Sequence, residues 1–317
     1  MNHRLAEIVG KENLLKDVPM SRYTTFRVGG DASYLVNVEN EEILIALLKL
    51  LKENDVPYYF LGNGSNLLVS DQGYDGVMIK LGGDFSKMIW TKSAKQEVVS
   101  SENVPDAGTI CQAGAAVMLT HMAQKAAEHD LAGMEFAYGI PGTVGGAIVM
   151  NAGAYGGEMC QIVESVRLLN EDLQIVTLKG DEMAFGYRTS ILKKKPYVVL
   201  SVRLKLHLGD QKEIMAKMNT NMSARKEKQP LEYPSAGSTF KRPEGHFAGK
   251  LIQDAGLRGY RVGGAQVSEK HCGFVINTGD ATAADICYLI RDVQSKVREM
   301  SGIILEPEVI MLGKFPC

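Results

Sequence analysis

Apolar positions recur with a helical period across NEEILIALLKLLKEN (40–54). Asn40 falls where a helix N-cap is wanted, Glu41 and Glu42 fall in the first turn, and a broad apolar face follows. Before it, TTFRVGGDASYLVNV (24–38) reads as a turn at Gly29-Gly30 feeding a strand, and after it PYYFLG (57–62) reads as a buried strand. This strand–helix–strand unit implies α/β elements. AVMLTHMAQKAAEHDLAG (116–133) predicts a second helix with Gly133 as its terminator. VESVRLLN, LQIVTLKG and YVVLSVRLKL (197–206) predict strands, the last two alternating in part with period 2. A charged, Met-bearing helix over 207–230 is stopped by Pro230. The composition shifts here and places a boundary near residue 210. Beyond it the pattern predicts a Gly/Ser-rich loop, a short helix over 247–255 closed by Gly256, strands near 262–267 and 272–277, a helix over 283–300 and a strand over 304–312. The polar segment 92–107 reads as a loop excursion, and no internal repeat is found.

The chain has 317 residues, a length for about two domains. Its 35 Lys and Arg against 37 Asp and Glu give a net charge of −2, which argues against a nucleic-acid binder. Apolar residues at 45% and charged residues at 23% are those of a cored globular protein. The longest apolar stretch, ILIALLKLL (43–51), is too short for a membrane span, and the first residues carry no signal-peptide pattern. Five scattered cysteines without a C-x-x-C pair read as reduced thiols in a cytoplasmic protein, and the six histidines show no metal-ligand spacing. No metal is expected.

Glycine is where the composition becomes informative, because the 33 glycines cluster. LGNGSNLLVSD (61–71) follows a strand, and successive amides in such a turn can form an anion-binding nest; an ordinary tight turn is the alternative. A Rossmann fingerprint does not fit, since the third glycine is absent and LLVSD resembles a strand. GIPGTVGGAIVMNAGAYGG (139–157) holds seven glycines in nineteen residues, read either as turns joining short strands or as a ligand site whose small side chains admit a flat ring or a phosphate. FGYRTS (185–190) offers a guanidinium beside two hydroxyls, suited to a carboxylate or phosphate unless Arg188 is a surface ion-pair residue. Ser235, Gly237, Ser238 and Thr239 read as a flexible turn among Lys228, Lys241, Arg242 and Lys250, a diphosphate site or a solvated basic loop. In LEPEVIML (305–312), Glu306 and Glu308 share a face if the strand is regular.

Taken in order with AGKLIQDAGLRG and GGAQVSEKHCGFVIN, these motifs resemble the UDP-N-acetylenolpyruvoylglucosamine reductase (UDP-N-acetylmuramate dehydrogenase) family along nearly the whole chain. The resemblance implies an α+β fold: a vanillyl-alcohol-oxidase/PCMH-type FAD-binding region of two subdomains over 1–209 (core about 30–195), then an α+β substrate domain over 210–317. It implies noncovalent FAD, NADPH as hydride donor and the enolpyruvyl ether of UDP-N-acetylglucosamine as substrate, reduced to UDP-N-acetylmuramate for peptidoglycan. Three family roles fall on Ser238 as proton donor and on Arg188 and Glu308 as groups acting on the substrate carboxylate. FAD contacts are expected from Gly62, Asn63, Gly64, Ser65 and Asn66, from Gly139, Ile140, Pro141, Gly142, Thr143 and Gly145, and from Gly153 and Ala154. Substrate contacts are expected from Lys228, Tyr155 and Arg242. The short stretch TSILKKKP (189–196) resembles the family's second type, which lacks a tyrosine-bearing loop. Gln253 stands where the family commonly has glutamate. A monomer without nucleic-acid or membrane partners is expected. An alcohol-oxidising flavoenzyme of the same fold and a nucleotide-binding regulator are the competing readings.

Overall fold

The computed structural model describes residues 1–91 and 109–316, so the expected loop excursion over 92–107 lies outside the described residues. The chain forms two compact units, each built from three segments. One comprises Met1–Val9, Asn37–Asn54 and Lys80–Ala224; the other comprises Gly10–Val36, Asp55–Ile79 and Arg225–Cys317. These units cut across a linear division at 209/210.

The first unit carries helices α1 (Asn2–Val9), α2 (Glu41–Glu53), α3 (Leu119–Glu128) and α4 (Val144–Met150), and most of α5 (Gln211–Lys228). As expected, α2 starts at Asn40, whose side chain accepts from the Ile43 amide at 2.9 Å. An antiparallel sheet runs in the order Ile175–Lys179, Val163–Leu169, Val198–Leu208, Thr109–Gly114, Met88–Thr91. Its period-2 alternation buries Cys111, Ala113, Val166, Leu168, Val202 and Leu204 on one face, where they join Leu119, Met122 and Ala126 of α3 and Val144, Ala147 and Ile148 of α4. Burial pushes the Cys111 thiol up to about 12, which keeps it protonated and inert. The guanidinium of Arg167 grips Glu41 through two hydrogen bonds of 2.7 and 3.0 Å, tying the sheet to the first turn of α2.

Two expectations for this unit are corrected. The second helix ends at Glu128, not at Gly133, because Leu131–Ala132 leaves it to pair with the far end of Val198–Leu208. The segment 139–157, expected to be turns joining short strands or a ligand site, contains a helix, α4. Gly145, Gly146, Val149 and Ile148 are weak helix formers, and packing of Val144, Ala147 and Ile148 in the core overrides that preference.

The second unit has a four-stranded sheet in the order Leu14–Pro19, Asp31–Val38, Tyr74–Leu81, Tyr58–Phe60, and a parallel pair of Leu67–Val69 with Ile310–Leu312. A further antiparallel sheet runs Ser235–Ser238, Phe274–Asn277, Ala265–Val267, Arg261–Val262, accompanied by α6 (Ala248–Asp254) and α7 (Ala283–Ser301). Helix α7 is closed at its start by a Thr282/Asp285 capping box and at its end by Gly302 in the left-handed region. Its apolar stripe (Ile286, Leu289, Ile290, Val293, Val297) enters a core shared with Val267, Val275, Leu305 and, from far earlier in the chain, Phe26, Val28 and Leu68. The expected final strand over 304–312 is regular only at Ile310–Leu312, and the expected flexible turn at Ser235–Ser238 is a strand. Cys287 is disulfide-bonded, which corrects the expectation of reduced thiols throughout; Cys111, Cys160 and Cys272 are free. Among the described residues no helix is long and apolar enough to cross a membrane.

Asp71, the last residue of LGNGSNLLVSD, accepts from the amides of Ala283 and Ala284 at 2.8 Å each and so caps α7 from outside it. Asp71→Ala is expected to lower stability by about 1–2 kcal/mol, and Asp71→Asn by less, since one amide oxygen can still accept. Urea midpoints at an unchanged m-value check this, and equal midpoints for the two variants would contradict it.

Candidate active site

In the second unit the predicted residues fall on three strands of chain that meet through backbone bonds. Gly62–Asn66 forms the turn between Tyr58–Phe60 and Leu67–Val69. Gly64 sits at φ 62 with its α-carbon pressed on the preceding chain: a Cβ there would lie 2.0 Å from the Tyr23 carbonyl oxygen. Only glycine fits. The amides of Gly62, Gly64, Ser65 and Asn66 donate to no group among the described residues. A row of available amides on a turn without bulky side chains fits a pyrophosphate, so this loop suits a dinucleotide cofactor.

Asn66 then joins this loop to the end of the chain. Its Nδ2 donates to the Glu308 carbonyl at 3.0 Å, and its own carbonyl accepts from the Ile310 amide at 3.0 Å. Glu308 in turn donates its amide to the Thr239 carbonyl at 2.8 Å, next to Ser238 at the end of Ser235–Ser238. Thr239 is fully buried; it donates its amide to Gly273 and accepts the Val275 amide on its hydroxyl, both at 2.9 Å. The strand therefore has a fixed register while Ser238 stays exposed and Glu308 half-buried. Glu306 does not act as a twin of Glu308: it is exposed and paired with Lys241. Lys250 is likewise paired with Asp254, so two of the four expected cations are compensated. Lys228 is exposed at the end of α5, and the exposed Arg242 lies with its guanidinium 3.9 Å from the centre of the Phe247 ring. Gln253 accepts from Arg258 at 2.7 Å.

The first unit holds the remaining residues. Gly139–Gly145 runs into α4, and its backbone is largely engaged: Gly139 donates to the Thr120 hydroxyl, Gly142 to Ile140, Gly145 to Ala115. Thr143 caps α4 by accepting from Gly146. This segment offers a close-packed surface of small residues rather than a row of donors. At the other end of α4, Gly153–Ala154 pairs with Gly157–Glu158 across a two-residue turn in which Tyr155 (φ 52) and Gly156 (φ 84) are both left-handed, the type I′ pattern. Tyr155 is exposed at its tip.

Arg188 also lies in a two-residue turn. Gly186 and Thr189 exchange both backbone hydrogen bonds, at 3.1 and 3.3 Å, and Arg188 at φ 55 takes the position that glycine normally occupies in a type II turn. Its guanidinium stacks 5.2 Å from the Tyr187 ring centre. Ser190, expected to present a hydroxyl to an anion, instead buries it and donates to the Val149 carbonyl at 2.9 Å. Asn151, the left-handed C-cap of α4, reaches both turns, bonding Glu158 and Gly186. In the sequence Asn151 is only one residue of the glycine-rich stretch 139–157, and nothing local marks it, because the helix that it caps is itself not evident there. Burial first, and then a hydrogen bond to Glu158, raise the Cys160 thiol above its ordinary range; its Sγ donates to Glu158 Oε1 at 3.1 Å. Among the described residues no group of three or more His, Cys, Asp or Glu could hold a metal.

Residues 32–179 match the family model described as FAD binding domain, and residues 229–312 match that of UDP-N-acetylenolpyruvoylglucosamine reductase, C-terminal domain. With the amide-lined loop at 62–66, this defines a flavin-dependent oxidoreductase of α+β fold, with FAD as its cofactor. The UDP-N-acetylenolpyruvoylglucosamine reductase of Agathobacter rectalis is 51% identical over 302 residues, covering 95% of each chain. That of Caldanaerobacter subterraneus subsp. tengcongensis is 48% identical over 311 residues, covering 98% of this chain and 97% of its own. The crystal structure of the Thermus caldophilus reductase superposes with a TM-score of 0.77 at 37% identity, covering 93% of this chain and 98% of that one. The chain belongs to the UDP-N-acetylenolpyruvoylglucosamine reductase family.

The left-handed backbone at Arg188 separates conformational strain from side-chain function. Arg188→Gly and Arg188→Val both remove the guanidinium, yet only valine must force a β-branched side chain into that region. The glycine variant is expected to be more stable by about 1–2 kcal/mol in thermal or urea unfolding. Equal stabilities would mean the turn relaxes out of its left-handed conformation.

Proposed function

We propose that this protein reduces the enolpyruvyl ether of UDP-N-acetylglucosamine to the lactyl ether of UDP-N-acetylmuramate, a step in peptidoglycan precursor synthesis, with NADPH as reductant. Residues 1–209 form the FAD-binding region, which also contributes Arg188 and Tyr155 to the substrate, and 210–317 form the substrate domain; the separate matches over 32–179 and 229–312 support this division, while the compact units cut across it. FAD, when bound, would supply a two-electron hydride relay between NADPH and the vinyl CH2 carbon of the substrate. Gly62–Asn66, Gly139–Gly145, Gly153 and Ala154 would hold it.

Hydride addition at the CH2 carbon leaves negative charge on the adjacent carbon and its carboxylate. Arg188 binds that carboxylate and stabilises the charge as it grows. Glu308 would repel a second carboxylate unless it carries a proton or shares one through a hydrogen bond, so its protonated form assists. Ser238 gives its hydroxyl proton to the carbanionic carbon; a hydroxyl is a weak acid, and a basic carbon held close to it makes the transfer feasible. One proton and one hydride are added, and NADP+ leaves. Lys228 contacts the substrate, and Tyr155 and Arg242 lie near its diphosphate or uridine.

The observation that carries this reading is the backbone bond from Glu308 to Thr239, which sets the segment of the carboxyl beside the residue following Ser238. The test is anaerobic: NADPH should bleach the flavin bands and the enolpyruvyl UDP-sugar should restore them. Ser238→Ala should keep its FAD and its bleaching by NADPH, while restoration slows by about 10²–10⁴-fold. Restoration at the wild-type rate removes Ser238 as proton donor. Glu308→Gln should flatten the pH dependence of restoration, and an unaltered profile would exclude the role given to Glu308.

A further inference from the structure

Asn151 is a carboxamide with 1% of its surface exposed, and three hydrogen bonds tie it to two separate segments, 158–160 and 186. Its Nδ2 donates to Glu158 Oε2 and to the Gly186 carbonyl, each at 3.1 Å, and its Oδ1 accepts from the Cys160 amide at 2.9 Å. Glu158 closes the hairpin that carries Tyr155, and Gly186 opens the turn that carries Arg188. Both turns hold a non-glycine residue in the left-handed region, at φ 52 and φ 55. Such conformations persist only where the surroundings over-determine them. Asn151 is itself left-handed, at φ 43, a conformation that asparagine tolerates better than most residues. A carboxamide is also the group that can donate twice and accept once in this place.

We propose that Asn151 is a positioning residue for the reaction: it locks the Arg188 turn against the Tyr155 hairpin, so that the guanidinium is held ready for the substrate carboxylate. This rests on the role given to Arg188 above. The Ser190 hydroxyl bond to Val149 is a second anchor on the same turn, but it fixes the exit from the turn and not its entry at Gly186.

Two substitutions keep the left-handed backbone and remove the lock. Asn151→Gly deletes all three side-chain bonds. Asn151→Asp keeps an acceptor for Cys160 but sets a carboxylate against Glu158 and the Gly186 carbonyl. In stopped-flow measurements on the FAD-loaded variants, bleaching by NADPH should proceed at the wild-type rate. Restoration by the enolpyruvyl UDP-sugar should slow by about 10²-fold in Asn151→Gly, the scale of a displaced catalytic group. In Asn151→Asp the deficit relative to wild type should shrink as pH falls, because a protonated Asp regains a donor toward Glu158. Trypsin should cut the Arg188–Thr189 bond faster in Asn151→Gly than in wild type. The double variant Asn151→Gly/Arg188→Ala should be no slower than Arg188→Ala alone.

Additive losses in the double variant, or wild-type restoration in Asn151→Gly, would overturn the proposal. So would loss of FAD or of a cooperative melting transition in both single variants, which would make Asn151 a plain folding residue. If Arg188→Ala alone restores flavin at the wild-type rate, it is the role of Arg188 that fails, and this proposal falls with it.

Discussion

The second unit depends on the way residue 308 is held. Its amide bonds to Thr239 and its carbonyl takes the Asn66 side chain, across a sequence separation of 242 residues in the latter case. Each bond is worth only about 0.5–1.5 kcal/mol net, and both lie next to the parallel pair of Leu67–Val69 with Ile310–Leu312. Thr239, buried and bonded at amide and hydroxyl, is the fixed point against which the final segment is set. The amide-lined loop, the serine strand and the glutamate segment are thus one piece of structure drawn from three regions of the sequence. Contacts this distant close slowly in folding, so this unit takes its final geometry only once residues 308–312 have met residues 66–69.

In the first unit the governing device is a buried amide holding two turns that prefer glycine. Tyr155 and Arg188 each occupy a left-handed position at a cost of about 1–2 kcal/mol. That cost is offset by bonding around Asn151, Glu158, Cys160 and Ser190 that leaves little room to relax. A flexible loop could carry an arginine without strain, but it would not present the guanidinium in one orientation. In the role proposed for Arg188, such rigidity reduces the reorganisation needed as charge develops.

The two glycine-rich segments look alike in composition and differ in physics. At 62–66 glycine permits a backbone conformation and a close approach, and the amides of Gly62, Gly64, Ser65 and Asn66 donate to no group among the described residues. At 139–157 most of the amides are engaged and glycine serves packing, with Gly145 brought within 3.0 Å of the Ala115 Cβ if a side chain is added. The same residue type supplies donors in one place and close contact in the other.

Much of this was legible without coordinates. Local rules located α2 from its cap and apolar face, α7 from its periodicity, the central strands from their alternation, and the order of the motifs named the family. Other features were not local and could not be read. Helix α4 exists because a core accepts Val144, Ala147 and Ile148, although its glycines and β-branched residues disfavour it. Glu306 and Glu308 look equivalent in the sequence, and a lysine 65 residues away neutralises one of them. Ser190 looks like a ligand and is an anchor, and Asn151 looks incidental and is bonded on three sides. By itself the sequence determined the elements with strong periodicity, the family and the list of groups able to do chemistry. Tertiary structure alone decided which of those groups are compensated, buried or held under strain, because such properties depend on neighbours brought together by folding and not on neighbours along the chain.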